Sequence, residues 1–395
     1  MGKTRPDKKN KKKGGISRAA QADSSNTNDG AKAISPLYLV SVAEELVQGG
    51  NAPDALTICK QALEASQPSS DGALASLNLL GQINIELGDF DAARSCLMRA
   101  VSIDQDGSRS EEVGGGPEKF LCLAQLSEEG GMDSVKWFER GAGVLKAQIQ
   151  RLEEATPLRK RDEAQETTLD GLRRKHAACL CAVAEIYMTD LSWEADAEQR
   201  CEALVTEATM VAPDSAESWQ TLANVRISQT RIDDAKAALS RSVEIWKDLP
   251  MEDPSVPDFP TRVSLARLLM EVEMEQEALE VLERLVGEDD DSVEVWYLGG
   301  WALFVMGDKQ KANKKEEDAE WKMTWFSSRT WLNQCLMLFK KQEYEDDRLG
   351  DHAQELLSNI AKELGVAPIM EEGEEEEEEG DWEDDEANED DEMEG

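Results

Sequence analysis

One pattern of small and large residues recurs at fixed offsets along the chain, and it restricts the fold more than any other feature. Leu77, Leu80, Gly81 and Asn84 lead into a Gly88-Asp89-Phe90-Asp91 turn, followed by Ala93, Leu97 and Ala100. Trp219, Leu222, Ala223, Arg226, Ala235 and Leu239 repeat the pattern at matching offsets. Apolar side chains three and four residues apart form one stripe of a helix, and the Gly-Asp pair ends it. The second half then supplies a partner helix, and Gly or Ala at the facing positions lets the two approach closely. Such a unit cannot bury its apolar face alone, so it has to stack on copies of itself. Further copies begin near Pro36 (Leu39, Val42, Ala43, Leu46, Ala55, Cys59, Ala62), Ala177 (Leu180, Val183, Ala184, Tyr187) and Phe259 (Leu265, Ala266, Leu269, Ala278, Leu282). Another begins near Val293 (Trp296, Gly299, Gly300, Leu303, Ala312), and a third copy pairs Phe120, Leu123 and Ala124 with Phe138 and Gly141 at a spacing two residues short.

These residues resemble the tetratricopeptide motif. The resemblance implies an all-α fold, a tetratricopeptide-repeat superhelix of about seven helix pairs plus C-terminal capping helices. The expected organisation is a disordered basic N-terminal arm over residues 1–35, the superhelix over 36–365, and a disordered acidic tail over 366–395. The arm has almost no large apolar side chain and so cannot offset its chain entropy. Residues 142–176 lengthen one hairpin, with a break near Thr156-Pro157, and Pro250 to Pro260 forms a Pro-rich connection. Residues 325–364 (Trp325, Trp331, Leu332, Cys335, Leu338, Leu356, Leu357, Ile360) suit a last, atypical helix pair that caps the array.

Charge narrows the class of partner. The net charge is −40; removing the +7 of residues 1–18 and the −18 of residues 371–395 leaves −29 on residues 19–370. An acidic body repels phosphate, so no direct nucleic-acid ligand is expected; a cationic protein is. Seven scattered cysteines and an N-terminus without an apolar signal region point to a reducing intracellular compartment. No apolar run approaches the roughly 18 residues that cross a bilayer, so no membrane is expected.

In tetratricopeptide arrays the first helix of each pair lines the concave face, so the motif register maps the groove. The mapped residues are mostly acids and amides: Glu44, Gln48, Asn78, Gln82, Glu86, Gln125, Glu128, Glu129, Glu185, Glu217, Gln220, Asn224, Glu271 and Glu294, against few bases, chiefly Arg267. Such a channel attracts an extended Lys/Arg-rich segment and offers amides to its backbone. Tyr297, Trp301 and Phe304 would add aromatic contacts at one end, or pack under the capping helices. Tetratricopeptide domains that clamp the acidic C-termini of heat-shock chaperones use Lys, Arg and Asn there; this groove has the opposite sign.

Catalysis finds little support. His176 and His352 are far apart, Cys179 and Cys181 form a lone pair without a second pair for zinc, and no Gly-rich phosphate loop follows a strand, so no catalytic residue, metal or cofactor is expected. Lys8, Lys9, Lys11, Lys12 and Lys13 match a simple nuclear-import cluster, which makes an import receptor a second candidate partner. The Lys-rich start, the acidic seven-repeat body and the terminal EEGEEEEEEGDWEDDEANEDDEMEG together resemble the fungal assembly chaperones dedicated to large-subunit ribosomal protein L four. That resemblance implies capture of the newly made ribosomal protein, a groove that holds its basic internal loop, escort from cytoplasm to nucleus, and no enzymatic activity. The alternative is a histone or other basic nuclear protein chaperone that binds through the acidic tail, with the repeats as an assembly adaptor.

Overall fold

The computed structural model describes residues 34–155, 161–313 and 320–365. The basic arm with Lys8, Lys9, Lys11, Lys12 and Lys13, the Thr156-Pro157 break, and the acidic tail with Trp382 lie outside those residues. Among the described residues every regular element is helical: α1 (Pro36–Gln48), α2 (Ala52–Ala65), α3 (Asp71–Glu86), α4 (Phe90–Ile103), α5 (Glu118–Gln125), α6 (Gly131–Ala155), α7 (Glu163–Met188) and α8 (Ala197–Val211). They continue as α9 (Ala216–Ser228), α10 (Ile232–Trp246), α11 (Phe259–Glu271), α12 (Glu275–Glu288), α13 (Val293–Asn313), α14 (Glu320–Lys341) and α15 (Asp347–Leu364). Consecutive helices pair as antiparallel hairpins from α1/α2 to α13/α14, α1 touches α3, each odd-numbered helix from α7 onward touches the next odd-numbered one, and α15 closes the end against α13 and α14.

Local chemistry sets the helix boundaries. Ser70 accepts from the Ala73 amide, Asp89 from Ala92, Ser215 from Ser218 and Asp258 from Thr261, while Asp162 and Gln165 form a reciprocal capping box. The tight turn between paired helices needs a left-handed residue. Gly88 (φ 77°) provides it in the second pair, whereas Thr230 (φ 58°) and Glu273 (φ 60°) take that conformation in the fifth and sixth at a cost of about 1–2 kcal/mol each. Close approach is equally specific: a Cβ on Gly81 would sit 2.6 Å from Leu97 Cδ2, so α3 and α4 pack at a distance only glycine permits.

Two parts of the array depart from the sequence expectation. Gly307-Asp308 falls at the offset of the Gly88-Asp89 turn, yet α13 runs straight through it, which leaves Ala312 on the same helix as Trp296. Gly307 instead makes room for the indole of Trp325, whose Nε1 donates to the Phe304 carbonyl (3.0 Å), and Phe304 stacks on the same ring at 5.3 Å. The partner of α13 is therefore α14, carrying Trp325, Trp331 and Leu332, and the cap is the single helix α15 rather than a pair. The sequence register failed here because one glycine can serve either a turn or a close helix contact.

The third pair is short because a loop replaces the start of its first helix. Residues 104–117 are held by Asp104, which is 3 % exposed: its Oδ1 accepts from the Ser108 and Arg109 amides (3.1 and 3.3 Å). Its Oδ2 accepts from Lys119 Nζ (2.8 Å), a fully buried ammonium that also donates to the Gly116 carbonyl (2.9 Å). Burial lowers the Lys119 pKa, and the Asp104 pairing opposes that effect.

The fifth and sixth pairs are joined by residues 247–258, and one side chain fastens them. Arg284 of α12 donates to the carbonyls of Trp246 (3.3 Å), Lys247 (2.6 Å) and Leu249 (3.0 Å), with its guanidinium 4.9 Å from the Trp246 ring centre. Leu265, Leu269, Leu282 and Leu285 are fully buried beside it, each adding about 1.5–3 kcal/mol of apolar burial to the α11/α12 wall.

Candidate partner-binding groove

Three odd-numbered helices present polar faces to a common cleft of ≈ 640 Å³. Ala178, Cys181 and Glu185 come from α7; Glu217, Gln220, Thr221 and Asn224 come from α9; Thr261, Ser264, Arg267 and Glu271 come from α11. On each helix these residues are spaced three or four apart, so each face lies over one groove wall. The opposite faces of the same helices carry Ala184, Ala223 and Ala266, all fully buried, which let the walls pack close together.

The electrostatics follow from pairing choices. Arg174 of α7 pairs with Asp214 (2.7 Å), and Arg267, which lines the cleft, pairs with Glu294. Among the described residues Glu185, Glu217 and Glu271 form no ion pair. Their surroundings act on them: desolvation by the cleft walls raises the Glu185 carboxyl above its ordinary value, against a weak donor from Thr221 Oγ1 at 3.5 Å. Glu217 is raised by desolvation first and by the like charge of Asp258 second. The charge of Arg174 opposes the rise at Glu217, but neither carboxylate is in an ion pair, a state that favours any cation able to enter.

The structure brings together Glu185, Glu217, Asn224 and Glu271, with Glu294 at the cleft edge in its pair with Arg267. Glu44 on α1 and Gln82 and Glu86 on α3 are exposed, and Gln125 is the exposed last residue of α5. Four positions depart from the groove register. Asn78 is spent on the 104–117 loop, donating to the Gly114 carbonyl (2.5 Å) and to Leu74 (3.1 Å). Glu128 falls in the α5–α6 turn, because α5 has only eight residues, and pairs with Arg94 of α4. Tyr297 and Trp301 are engaged by the cap: Tyr297 Oη lies 2.7 Å from His352 Nδ1, and Trp301 meets the same imidazole edge-on at 5.6 Å. The residues that sequence reasoning missed, Ser218, Thr221 and Ser264, carry no charge and so stood out from no background; their only signal is helical register with Glu217 and Arg267.

Other reactive groups are withdrawn. Burial pushes the Cys179 and Cys181 thiols up to about 12 and about 11, and lowers the His176 imidazole. Among the described residues no three His, Cys, Asp or Glu groups gather in a way that could hold a metal ion, and no helix is long and apolar enough to cross a membrane.

Comparison with known proteins places this geometry. A tetratricopeptide repeat family model matches residues 39–106. A protein of Emericella nidulans named "Probable assembly chaperone of rpl4" is 46 % identical over 378 residues, covering 92 % of this chain and 91 % of the relative. A protein of the same name from Schizosaccharomyces pombe is 32 % identical over 343 residues, covering 87 % and 95 %. The solved structure titled "Assembly Chaperone of RpL4 (Acl4) (Residues 1-338)" superposes with a TM-score of 0.66 at 57 % identity, over 71 % of this chain and 99 % of its own. The stacked hairpins and the extent of these matches agree, and the chain belongs to the family of tetratricopeptide-repeat assembly chaperones of rpl4.

Proposed function

We propose that this chain is a dedicated chaperone of large-subunit ribosomal protein L four, holding its basic internal loop in the acidic groove and escorting it from cytoplasm to nucleus for subunit assembly. One observation carries the reading: three carboxylates from α7, α9 and α11 line one cleft without forming an ion pair, while the two bases beside them are paired with Asp214 and Glu294. A protein segment made to thread through ribosomal RNA has many unpaired cations and little core, so it needs a polyanionic host until RNA is available. The names of the relatives supply the identity of the client. Release follows when RNA phosphates displace the carboxylates. For the escort step, the Lys8 to Lys13 cluster is the feature that an import receptor would read.

The test is to purify the tagged chain from growing cells at low salt and identify what copurifies at equal stoichiometry. Ribosomal protein L four is expected from the wild type. The Glu185→Lys, Glu217→Lys, Glu271→Lys triple variant should lose it. Recovery of histones, or of a broad set of clients, refutes the reading. Replacing Lys8, Lys9, Lys11, Lys12 and Lys13 by alanine should leave capture intact and reduce nuclear accumulation of a fluorescent fusion; unchanged accumulation refutes a role in import.

A further inference from the structure

We infer that the cleft between α7, α9 and α11 contains a guanidinium subsite that takes an arginine side chain of the client in preference to lysine, with Gln220 as the discriminating residue. The inference deepens the proposed function and depends on it for the source of the arginine.

Gln220 is only 9 % exposed, yet it lines the cleft. Its Nε2 donates to the Thr261 carbonyl of α11 at 3.2 Å, and this contact fixes the amide orientation, since a flip would oppose two oxygens. Its Oε1 is buried and receives no donor. A buried acceptor without a donor costs free energy that a suitable ligand recovers. The acceptor therefore stands ready between charged neighbours: Glu217 is one turn away on α9, and Glu185 faces it from α7.

Two of the cleft's own donors are committed, Thr221 Oγ1 to Glu185 and Gln220 Nε2 to Thr261. What enters must bring its own donors to two carboxylates on different helices and to an amide oxygen near them. An ammonium presents three donors from one point, whereas a guanidinium presents five in a plane and can serve acceptors on several walls at once. The two flanking arginines are each paired with one acid, Arg174 with Asp214 and Arg267 with Glu294, while the inner acids form no ion pair. A neutral urea of the same shape, citrulline, would match the outline without the charge.

The experiment measures binding of dye-labelled peptides of five Gly-Arg, five Gly-Lys or five Gly-citrulline repeats to the full chain by fluorescence anisotropy at low salt. The wild type should bind the arginine peptide about fivefold or more tightly than the lysine peptide, with the citrulline peptide weakest, because charge and fork geometry both contribute. In Gln220→Met the arginine preference should fall below about twofold while lysine binding is retained, because only the fork loses an acceptor. Should Gln220→Met melt lower than the wild type, Glu217→Gln reports instead, and it should reduce arginine binding more than lysine binding. Equal binding of the two cationic peptides by the wild type, or an arginine preference that survives both substitutions, overturns the subsite. The underlying reading fails separately: a wild type that prefers arginine but does not retain ribosomal protein L four keeps the subsite and loses the client. One that retains the client with no arginine preference does the reverse.

Discussion

Lys119→Met should destabilise the array by about 3–5 kcal/mol, the range for removing one partner of a buried ion pair. The structure gives the reason for so large a value. Lys119 is fully buried, and its ammonium is bonded to Asp104 (2.8 Å) and Gly116 (2.9 Å). Methionine fills nearly the same space, so the loss is electrostatic rather than steric. It leaves a carboxylate at 3 % exposure with only the Ser108 and Arg109 amides for compensation. Adding Asp104→Asn should restore part of the loss: the amide oxygen still accepts from those two N–H groups, and its NH₂ can donate to the Gly116 carbonyl. Asp104→Leu in place of Asn should restore nothing, because it orphans the two backbone donors. The assay is urea denaturation followed by tryptophan fluorescence, since Trp137 lies in the same hydrophobic cluster as Phe120. A loss below about 1 kcal/mol for Lys119→Met, or full rescue by Asp104→Leu, would show that the ion pair does not hold the loop and refute the reasoning.

Glu185→Gln and Glu217→Gln should each raise the melting temperature of the free protein at pH 7. Their folded-state pKa values lie above the ordinary 4.5, so the stability they contribute is present below that value and is lost as pH rises through the folded pKa. The gain should vanish in thermal melts below about pH 4, where the unfolded carboxyl is protonated as well; an unchanged or lowered melting temperature at pH 7 counts against desolvation as the cause. Client affinity should fall as salt rises, because exposed and partly exposed ion pairs are screened over about 8 Å at physiological ionic strength; a flat salt titration removes the electrostatic account. Deleting residues 371–395 should leave most client affinity in place, and near-complete loss would move the binding to the tail. Gly81→Val should cost about 1–3 kcal/mol, since its Cβ alone would stand 2.6 Å from Leu97, and a neutral result in denaturant titration would show that α3 and α4 can separate freely.

The repeats were legible because the contacts that define them need small residues at fixed intervals, and Gly81, Ala93, Ala223 and Ala235 carry that requirement in their identity. The central cleft was legible for a related reason: Glu185, Glu217, Asn224 and Glu271 sit in undisturbed copies, where register fixes direction. Elsewhere, register lost its meaning. Glu128 slid into a turn because the Asp104–Lys119 pair takes over the start of the third pair, and a single buried lysine announces nothing in a chain this rich in charge. Ala312 read as part of a second helix because sequence cannot distinguish a glycine that bends a helix from one that, like Gly307, admits an indole. The pairing of Arg174 with Asp214 and of Arg267 with Glu294, which leaves the inner acids uncompensated, depends on side-chain reach between helices and has no counterpart in spacing.

Arg284 has a mechanical meaning beyond the bonds it makes. The cleft's walls include α9 and α11, and the chain between them runs through α10 and the 247–258 connection; this one guanidinium clasps the last carbonyl of α10 and two carbonyls of that connection. It works as a splint from outside the cleft, whose lining does not include it. Because neighbouring pairs in such arrays touch only each other, this clasp helps fix how the fifth and sixth pairs stand to one another, alongside the direct contacts of α9 and α10 with α11.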